Sequence, residues 1–171
     1  MRVRLLSSCV ALLAIVAMPA LAFNFVRSEP APAPEITFLD ADGNELSLAD
    51  FEGKVVVLNL WATWCAPCRE EMPSLDRLQA EHGGKDLQVV ALSLDRGDSL
   101  EKVRRFYDEV GVETLAIYRD PEAEVGRAFR APGLPTTIVI DPAGREIGRV
   151  LGGAEWDGPE AVALLEAAAA D

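Results

Sequence analysis

The chain has 171 residues, half of them apolar, so it can form one ordinary domain with a hydrophobic core and is not expected to be disordered. Its 28 acidic residues against 16 Lys and Arg give a formal net charge of −12. A nucleic-acid partner requires clustered basic residues that replace phosphate counterions, and this charge argues against one. An acidic surface of this kind usually serves solubility.

The first 22 residues are predicted to direct export and to lie outside the fold. Arg2 and Arg4 form a basic start, Cys9 to Ala17 is uninterrupted apolar sequence, and residues 20–22 read Ala-Leu-Ala, the small-x-small pattern of a signal-peptidase site. We expect cleavage after this pattern. The alternative is an uncleaved anchor in the inner membrane, since residues 5–25 are long enough to cross a bilayer. Either outcome places the domain outside the cytoplasm, in a bacterial periplasm.

A spacer and a hairpin are predicted next. Residues 23–34 include a Pro/Ala-rich stretch that should be extended and stiff, and we interpret them as a spacer that carries the domain away from a membrane or a cleaved end. The domain itself is predicted to cover 35–171. Within it, Ile36 to Leu39 and Glu45 to Leu48 are predicted to form a short strand pair around a polar turn.

The rest of the chain predicts alternating strands and helices. A continuous apolar run from Lys54 to Trp61 is typical of a central strand that is buried on both faces. A helix should begin after Cys65 and end at about His82, with Pro73 bending it near the site. Further elements are expected at 87–94 (strand), 98–110 (helix), 115–118 (strand), 121–129 (helix), 136–140 and 146–151 (hairpin), and from 158 (helix). This order predicts an α/β fold with a mixed sheet.

Two cysteines three residues apart, Cys65 and Cys68, stand where that central strand ends and the helix begins. The N-terminus of a helix stabilises a thiolate, which is the attacking species in thiol chemistry. We therefore assign Cys65 as the nucleophile and Cys68 as the thiol that resolves the mixed disulfide. An inert disulfide is the alternative. No metal site is expected, because Cys9 belongs to the leader and His82 is the only histidine.

Two motifs resemble a known family. Residues 59–65, Asn-Leu-Trp-Ala-Thr-Trp-Cys, with Cys68, and residues 133–136, Gly-Leu-Pro-Thr, are similar to the thioredoxin superfamily and, within it, to the TlpA/ResA-like exported thiol–disulfide oxidoreductases. The resemblance implies a thioredoxin fold with an N-terminal β-hairpin extension and a central βα insertion. It also implies that Pro135 is a cis-proline facing the thiols and that Leu134 offers backbone groups to a bound peptide. From the sequence alone, a trans bond would be the default.

Polar and aromatic residues refine the predicted site. Asn59 stands where thioredoxin keeps a buried aspartate, and an amide cannot accept a proton. Glu71 matches an acidic residue that the TlpA/ResA-like proteins place near the thiols; if partly buried, its pKa would be raised and it could take the proton from Cys68. The alternative is an exposed first-turn acid that favours the helix dipole. Trp64 is expected on the peptide-docking surface and Trp61 in the packing around the site.

The residues around the thiols also indicate a direction of electron flow. Strong oxidants place a histidine between their cysteines, whereas here the residues are Ala and Pro, with Arg69 as the nearby cation. A less stabilised Cys65 thiolate predicts a reductase of protein disulfides. It would be a monomer, would need a membrane thiol reductant as electron donor, and would need no cofactor besides its own disulfide. The resemblance suggests apocytochrome c or a copper-site protein as substrate.

Two alternatives of other classes stay open. A thiolate-based copper carrier would use both cysteines as soft ligands. A peroxiredoxin-like peroxidase would share the position of Cys65 at a strand-to-helix junction, but it needs a threonine where Ala62 stands.

Overall fold

The computed structural model describes residues 23–170, so the predicted leader, residues 1–22, lies outside the described residues. No helix in the described part is long and apolar enough to cross a membrane. The strands are β1 (Phe25–Pro32), β2 (Thr37–Leu39), β3 (Glu45–Ser47), β4 (Val55–Trp61), β5 (Leu87–Ser93), β6 (Tyr118–Arg119), β7 (Thr136–Ile140) and β8 (Arg145–Leu151). The helices are a 3-10 turn (Leu48–Phe51) and the α-helices α1 (Ala66–His82), α2 (Leu100–Val110), α3 (Glu124–Ala128) and α4 (Pro159–Ala169).

The strands form one sheet in the order β1-β8-β7-β4-β5-β6-β2-β3. Strands β4, β5 and β6 run parallel to one another, and the other neighbouring pairs are antiparallel. All seven residues of β4 are buried. The apolar run that predicted a strand covered on both faces is therefore confirmed at the centre of the sheet.

Helices cover both faces of the sheet. On one face, α1, α2 and α4 contribute Met72, Phe106 and Leu165 to a core shared with the sheet. On the other face, Phe51 of the 3-10 turn and Val125 of α3 pack against the sheet. The predicted fold is confirmed, including the hairpin extension β2–β3 and the inserted β6 and α3.

The interpretation of residues 23–34 as a spacer is wrong for most of that stretch. Its backbone is extended, as predicted, but residues 25–32 form β1, which pairs with β8 from Phe25 opposite Val150 to Pro32 opposite Arg145. Prolines are tolerated there because an edge strand needs only one row of hydrogen bonds. The composition indicated extended backbone, but it could not indicate that β8 would offer a free edge.

Candidate active site

The two cysteines lie at the junction of β4 and α1, as the sequence predicts. Cys65 is the N-cap residue of α1, and Pro67 lies in the first helical turn. The cysteines form a disulfide, and the N–H of Cys68 donates to the Sγ atom of Cys65 at 3.3 Å. Cys65 is 5% exposed and Cys68 is fully buried. This difference in access supports Cys65 as the sulfur that meets a substrate and Cys68 as the resolving thiol.

A buried carboxylate holds the loop before the nucleophile. Asp95, just beyond the end of β5, accepts hydrogen bonds from the backbone N–H and the hydroxyl of Thr63, both at 2.8 Å. Ser93 and Lys102 also donate to it, at 3.1 and 3.2 Å. Burial alone would raise the pKa of Asp95, but these hydrogen bonds outweigh burial and hold the pKa below its usual value. The charged carboxylate thus fixes the backbone two residues before Cys65.

The Leu134–Pro135 peptide bond is cis, as the resemblance implies. Pro135 directly precedes β7, and Thr136, the next residue, pairs with Leu60 near the end of β4. Because β4 leads into the cysteine loop, this pairing brings the proline to the same end of the sheet as the thiols. Leu134 is half-buried, and its contact with a substrate peptide stays a prediction.

The two tryptophans of the motif occupy different environments. Trp61 is fully buried and packs against Phe106 and Tyr107, with ring centroids 4.6 and 5.7 Å away. Trp64 is 72% exposed, although it lies directly before Cys65. An indole left in water beside a reactive cysteine is a suitable surface for a substrate peptide, whereas Trp61 supports the site by packing.

Glu71 is a buried residue and not the exposed first-turn acid that was the alternative; its neighbour Glu70 is exposed. The amide of Asn59 donates to its Oε1 atom at 2.8 Å. The N–H of Ala154 and the indole N–H of Trp156 donate to Oε2 at 3.0 and 3.3 Å. Burial raises the pKa of Glu71 to about 7, and the three hydrogen bonds oppose this rise. A carboxyl group with this pKa can hold or release a proton near neutral pH.

Asn59 and Glu71, which the sequence presents as separate features, therefore form one contact. Asn59 also donates to the hydroxyl of Thr137 on β7 at 2.8 Å, and its own Oδ1 has no hydrogen-bond partner within the described residues. Pro73 lies inside α1, two residues after Glu71, where it removes one helical hydrogen bond. The cluster of Glu71, Asn59, Ala154 and Trp156 is called the Glu71 cluster below.

Three residues of the site were not predicted from the sequence: Asp95, Ala154 and Trp156. Asp95 had a usable signal, because it follows a buried strand parallel to β4, and neighbouring parallel strands bring their carboxyl ends to one edge. The other two members of the Glu71 cluster, Ala154 and Trp156, carried no such signal. They lie 83 and 85 residues beyond Glu71, in an irregular segment, and only the folded chain places them around its carboxylate.

The sequence matches the AhpC/TSA family over residues 30–145. The thiol–disulfide oxidoreductase ResA of Oceanobacillus iheyensis is 40% identical over 67% of this chain, and the match spans 58% of that relative's length. The thioredoxin-like protein YneN of Bacillus subtilis is 38% identical over 68% of this chain and 67% of its own. A solved structure from Chlorobium tepidum, of the thiol:disulfide interchange protein DsbE type, superposes with a TM-score of 0.73 at 29% identity; the match covers 84% of this chain and 99% of that one.

Proposed function

Because this chain belongs to the AhpC/TSA family and is a thioredoxin-fold thiol–disulfide oxidoreductase of the ResA type, we propose that it reduces protein disulfides outside the cytoplasm. The observation that carries the proposal is Cys65 at the N-cap of α1, with Cys68 buried one helical turn later. This arrangement gives one accessible sulfur and one protected sulfur, which two-step exchange requires.

The reaction proceeds through a mixed disulfide. The Cys65 thiolate attacks one sulfur of the substrate disulfide, so that bond breaks and one substrate thiolate leaves. The Cys68 thiolate then attacks Sγ of Cys65, which forms the Cys65–Cys68 disulfide and releases the second substrate thiolate. Two electrons pass from the dithiol to the substrate. The proton that Cys68 must lose goes to Glu71, which follows it by three residues on α1 and shares its buried side of the helix.

The charges near Cys65 favour electron flow from the protein to its substrate. Arg69 is the cation nearest in sequence, but its guanidinium pairs with Glu109 at 3.0 Å and lies 4.7 Å from the centroid of the Phe106 ring. Its charge is thus partly neutralised by a carboxylate. The Cys65 thiolate then depends mainly on the helix N-terminus, and a less stabilised thiolate favours the disulfide form of the protein and makes the dithiol a better electron donor.

A reductase in an oxidising compartment needs both an electron donor that keeps it reduced and a disulfide substrate. The proposed electron donor is a membrane thiol reductant, and the proposed substrate is a protein disulfide, with apocytochrome c and a copper-site protein as the classes to test first. The protein would act as a monomer, and the only redox group required is the Cys65–Cys68 pair. Exposed Trp64 and the Leu134–Pro135 segment are the proposed contacts for a substrate peptide.

The reduction potential of the Cys65–Cys68 pair tests this proposal. We expect a value closer to that of thioredoxin, about −270 mV, than to that of DsbA, about −120 mV, because Cys65 has no unpaired cationic neighbour in the motif. Equilibration with redox buffers of known potential, followed by thiol alkylation, gives the value. A potential near that of DsbA would make the protein an oxidant.

Activity assays separate the proposal from the two alternatives. The reduced protein is expected to reduce the disulfides of insulin. Stoichiometric binding of copper without insulin reduction would identify a copper carrier, and turnover of a hydroperoxide would identify a peroxidase. Thr63 does not replace the threonine that a peroxidase needs at position 62, since its hydroxyl is bonded to Asp95.

Export is tested on the protein made in its own host. We expect the mature chain outside the cytoplasm, either starting after residue 22 or tethered by the leader. Mass spectrometry of the fractionated cells gives both the first residue and the compartment. An intact chain starting at Met1 in the soluble cytosolic fraction would contradict export.

A further inference from the structure

The carboxylate of Glu71 is bound on two sides by different parts of the fold. Asn59 of β4 contacts Oε1, and the segment between β8 and α4 supplies both donors to Oε2, the N–H of Ala154 and the indole N–H of Trp156. All three donors belong to neutral groups. The two acidic residues next to Trp156 on this segment, Glu155 and Asp157, instead face Arg77.

Trp156 is itself held from several directions. It is fully buried, and its backbone N–H donates to the hydroxyl of Ser74 at 3.1 Å. That hydroxyl donates in turn to the backbone carbonyl of Glu71 at 2.7 Å. The ring of Phe23 packs edge-on against the indole, with centroids 5.4 Å apart. The indole therefore approaches the carboxylate of Glu71 from a fixed position and has little freedom to turn away.

We propose that Trp156 is a positioning residue for the proposed base, with its indole N–H orienting the carboxylate of Glu71 and stabilising the charged form. This inference rests on the proposed role of Glu71 as the group that accepts the proton of Cys68. A carboxylate that is buried without donors would stay protonated and could not accept that proton. The indole N–H thus helps to keep the base available in a buried site, and the bulk of the ring shields the carboxylate from solvent.

The test removes the indole N–H of Trp156 and keeps an aromatic ring at this position. Trp156→Phe and wild type, both in the oxidised form so that no thiol titrates, are compared by carbon NMR titration of the Glu71 carboxyl group. The wild-type midpoint is expected near pH 7. The midpoint of Trp156→Phe should rise by about one pH unit, the size expected for the loss of one hydrogen bond to a carboxylate. At pH 7, disulfide exchange by the reduced variant should be about fivefold slower, because less of Glu71 is ionised.

A matched control separates positioning from general stability. Val162→Ala removes packing from α4 but no hydrogen bond to Glu71, so it should lower the melting temperature and leave the Glu71 midpoint unchanged. An unchanged midpoint in Trp156→Phe would overturn the inference. A lowered midpoint would also overturn it, because the ring would then serve only to exclude water.

A double variant distinguishes failure of this inference from failure of the proposed base. If Glu71 acts through its charge, adding Trp156→Phe to Glu71→Gln should slow exchange no further than Glu71→Gln alone. If the two substitutions slowed exchange by fully additive amounts of activation free energy, Trp156 would act independently of Glu71, and the inference would be contradicted. If Glu71→Gln alone leaves exchange unchanged, the proposed base is wrong, whatever Trp156 does.

Discussion

Replacing Cys65 by serine is expected to reduce the rate of insulin reduction to the uncatalysed rate. The hydroxyl of serine is a far weaker nucleophile than a thiolate, and the buried Cys68 cannot take over because a substrate disulfide cannot reach it. Replacing Cys68 by serine should instead leave the first attack intact and trap mixed disulfides through Cys65, since nothing remains to resolve them. The turbidity assay of insulin reduction measures the first result, and non-reducing electrophoresis with mass spectrometry of the adducts measures the second.

The site of the trapped adduct decides the assignment of roles. Ala80→Ser provides the control, because it places a serine on the exposed side of the same helix and should leave the rate of exchange unchanged. Adducts that form through Cys68 in a Cys65→Ser variant, at a rate close to that of wild type, would reverse the assignment of nucleophile and resolving thiol.

Glu71→Gln is expected to slow disulfide exchange by roughly 10²-fold, the lower end of what one acid–base group contributes. Cys68 is fully buried in the hydrophobic core, where a thiolate is disfavoured, so it needs a group that accepts its proton, and the amide of a glutamine could not accept it. The exposed neighbour supplies the control, and Glu70→Gln should change little. Stopped-flow exchange rates and thiol titrations of both variants measure the effect. Equal rates for the two variants would leave Glu71 with a structural role only.

The Glu71→Gln variant should fold, because the new side chain can form a hydrogen bond with Asn59. The Oδ1 atom of Asn59 has no partner in the part of the chain that the structure describes, so a turn of the Asn59 amide lets this atom accept from the new side-chain NH₂ group. The same turn suits the protonated form of Glu71, whose hydroxyl would become the donor. An amide at position 59 thus serves both protonation states of its neighbour.

The same variant changes how stability depends on pH. The pKa of Glu71 is raised from 4.5 to about 7, so the folded protein binds this proton more tightly than the unfolded chain does. The stabilisation that results is fully present below about pH 4.5 and is lost as the pH rises through 7. Between pH 4 and pH 9, the free energy of unfolding of the wild type should therefore fall by about 3 kcal/mol relative to that of Glu71→Gln. Denaturant unfolding of both oxidised proteins measures this difference, and a difference independent of pH would contradict the buried position of the carboxyl group.

The helices, most of the strands and the dithiol could be predicted from sequence because they depend on local patterns. The apolar run of β4, the glycines after α1 and the Cys-Ala-Pro-Cys motif each lie within a few residues of what they specify. Because α1 begins directly after Cys65, this cysteine lies at the helix N-terminus independently of distant parts of the fold. The assignment of Cys65 as nucleophile therefore needed no tertiary information.

The environment of Glu71 was decided only by the tertiary structure. Helical periodicity allowed Glu71 to be either an exposed acid or a buried base, and the choice depends on Ala154 and Trp156, more than eighty residues along the chain. The same holds for β1, which pairs with the distant strand β8, and for Asp95, whose hydrogen-bond donors include Thr63. Burial and hydrogen bonding depend on which segments meet in space, and these contacts set the pKa of a carboxyl group.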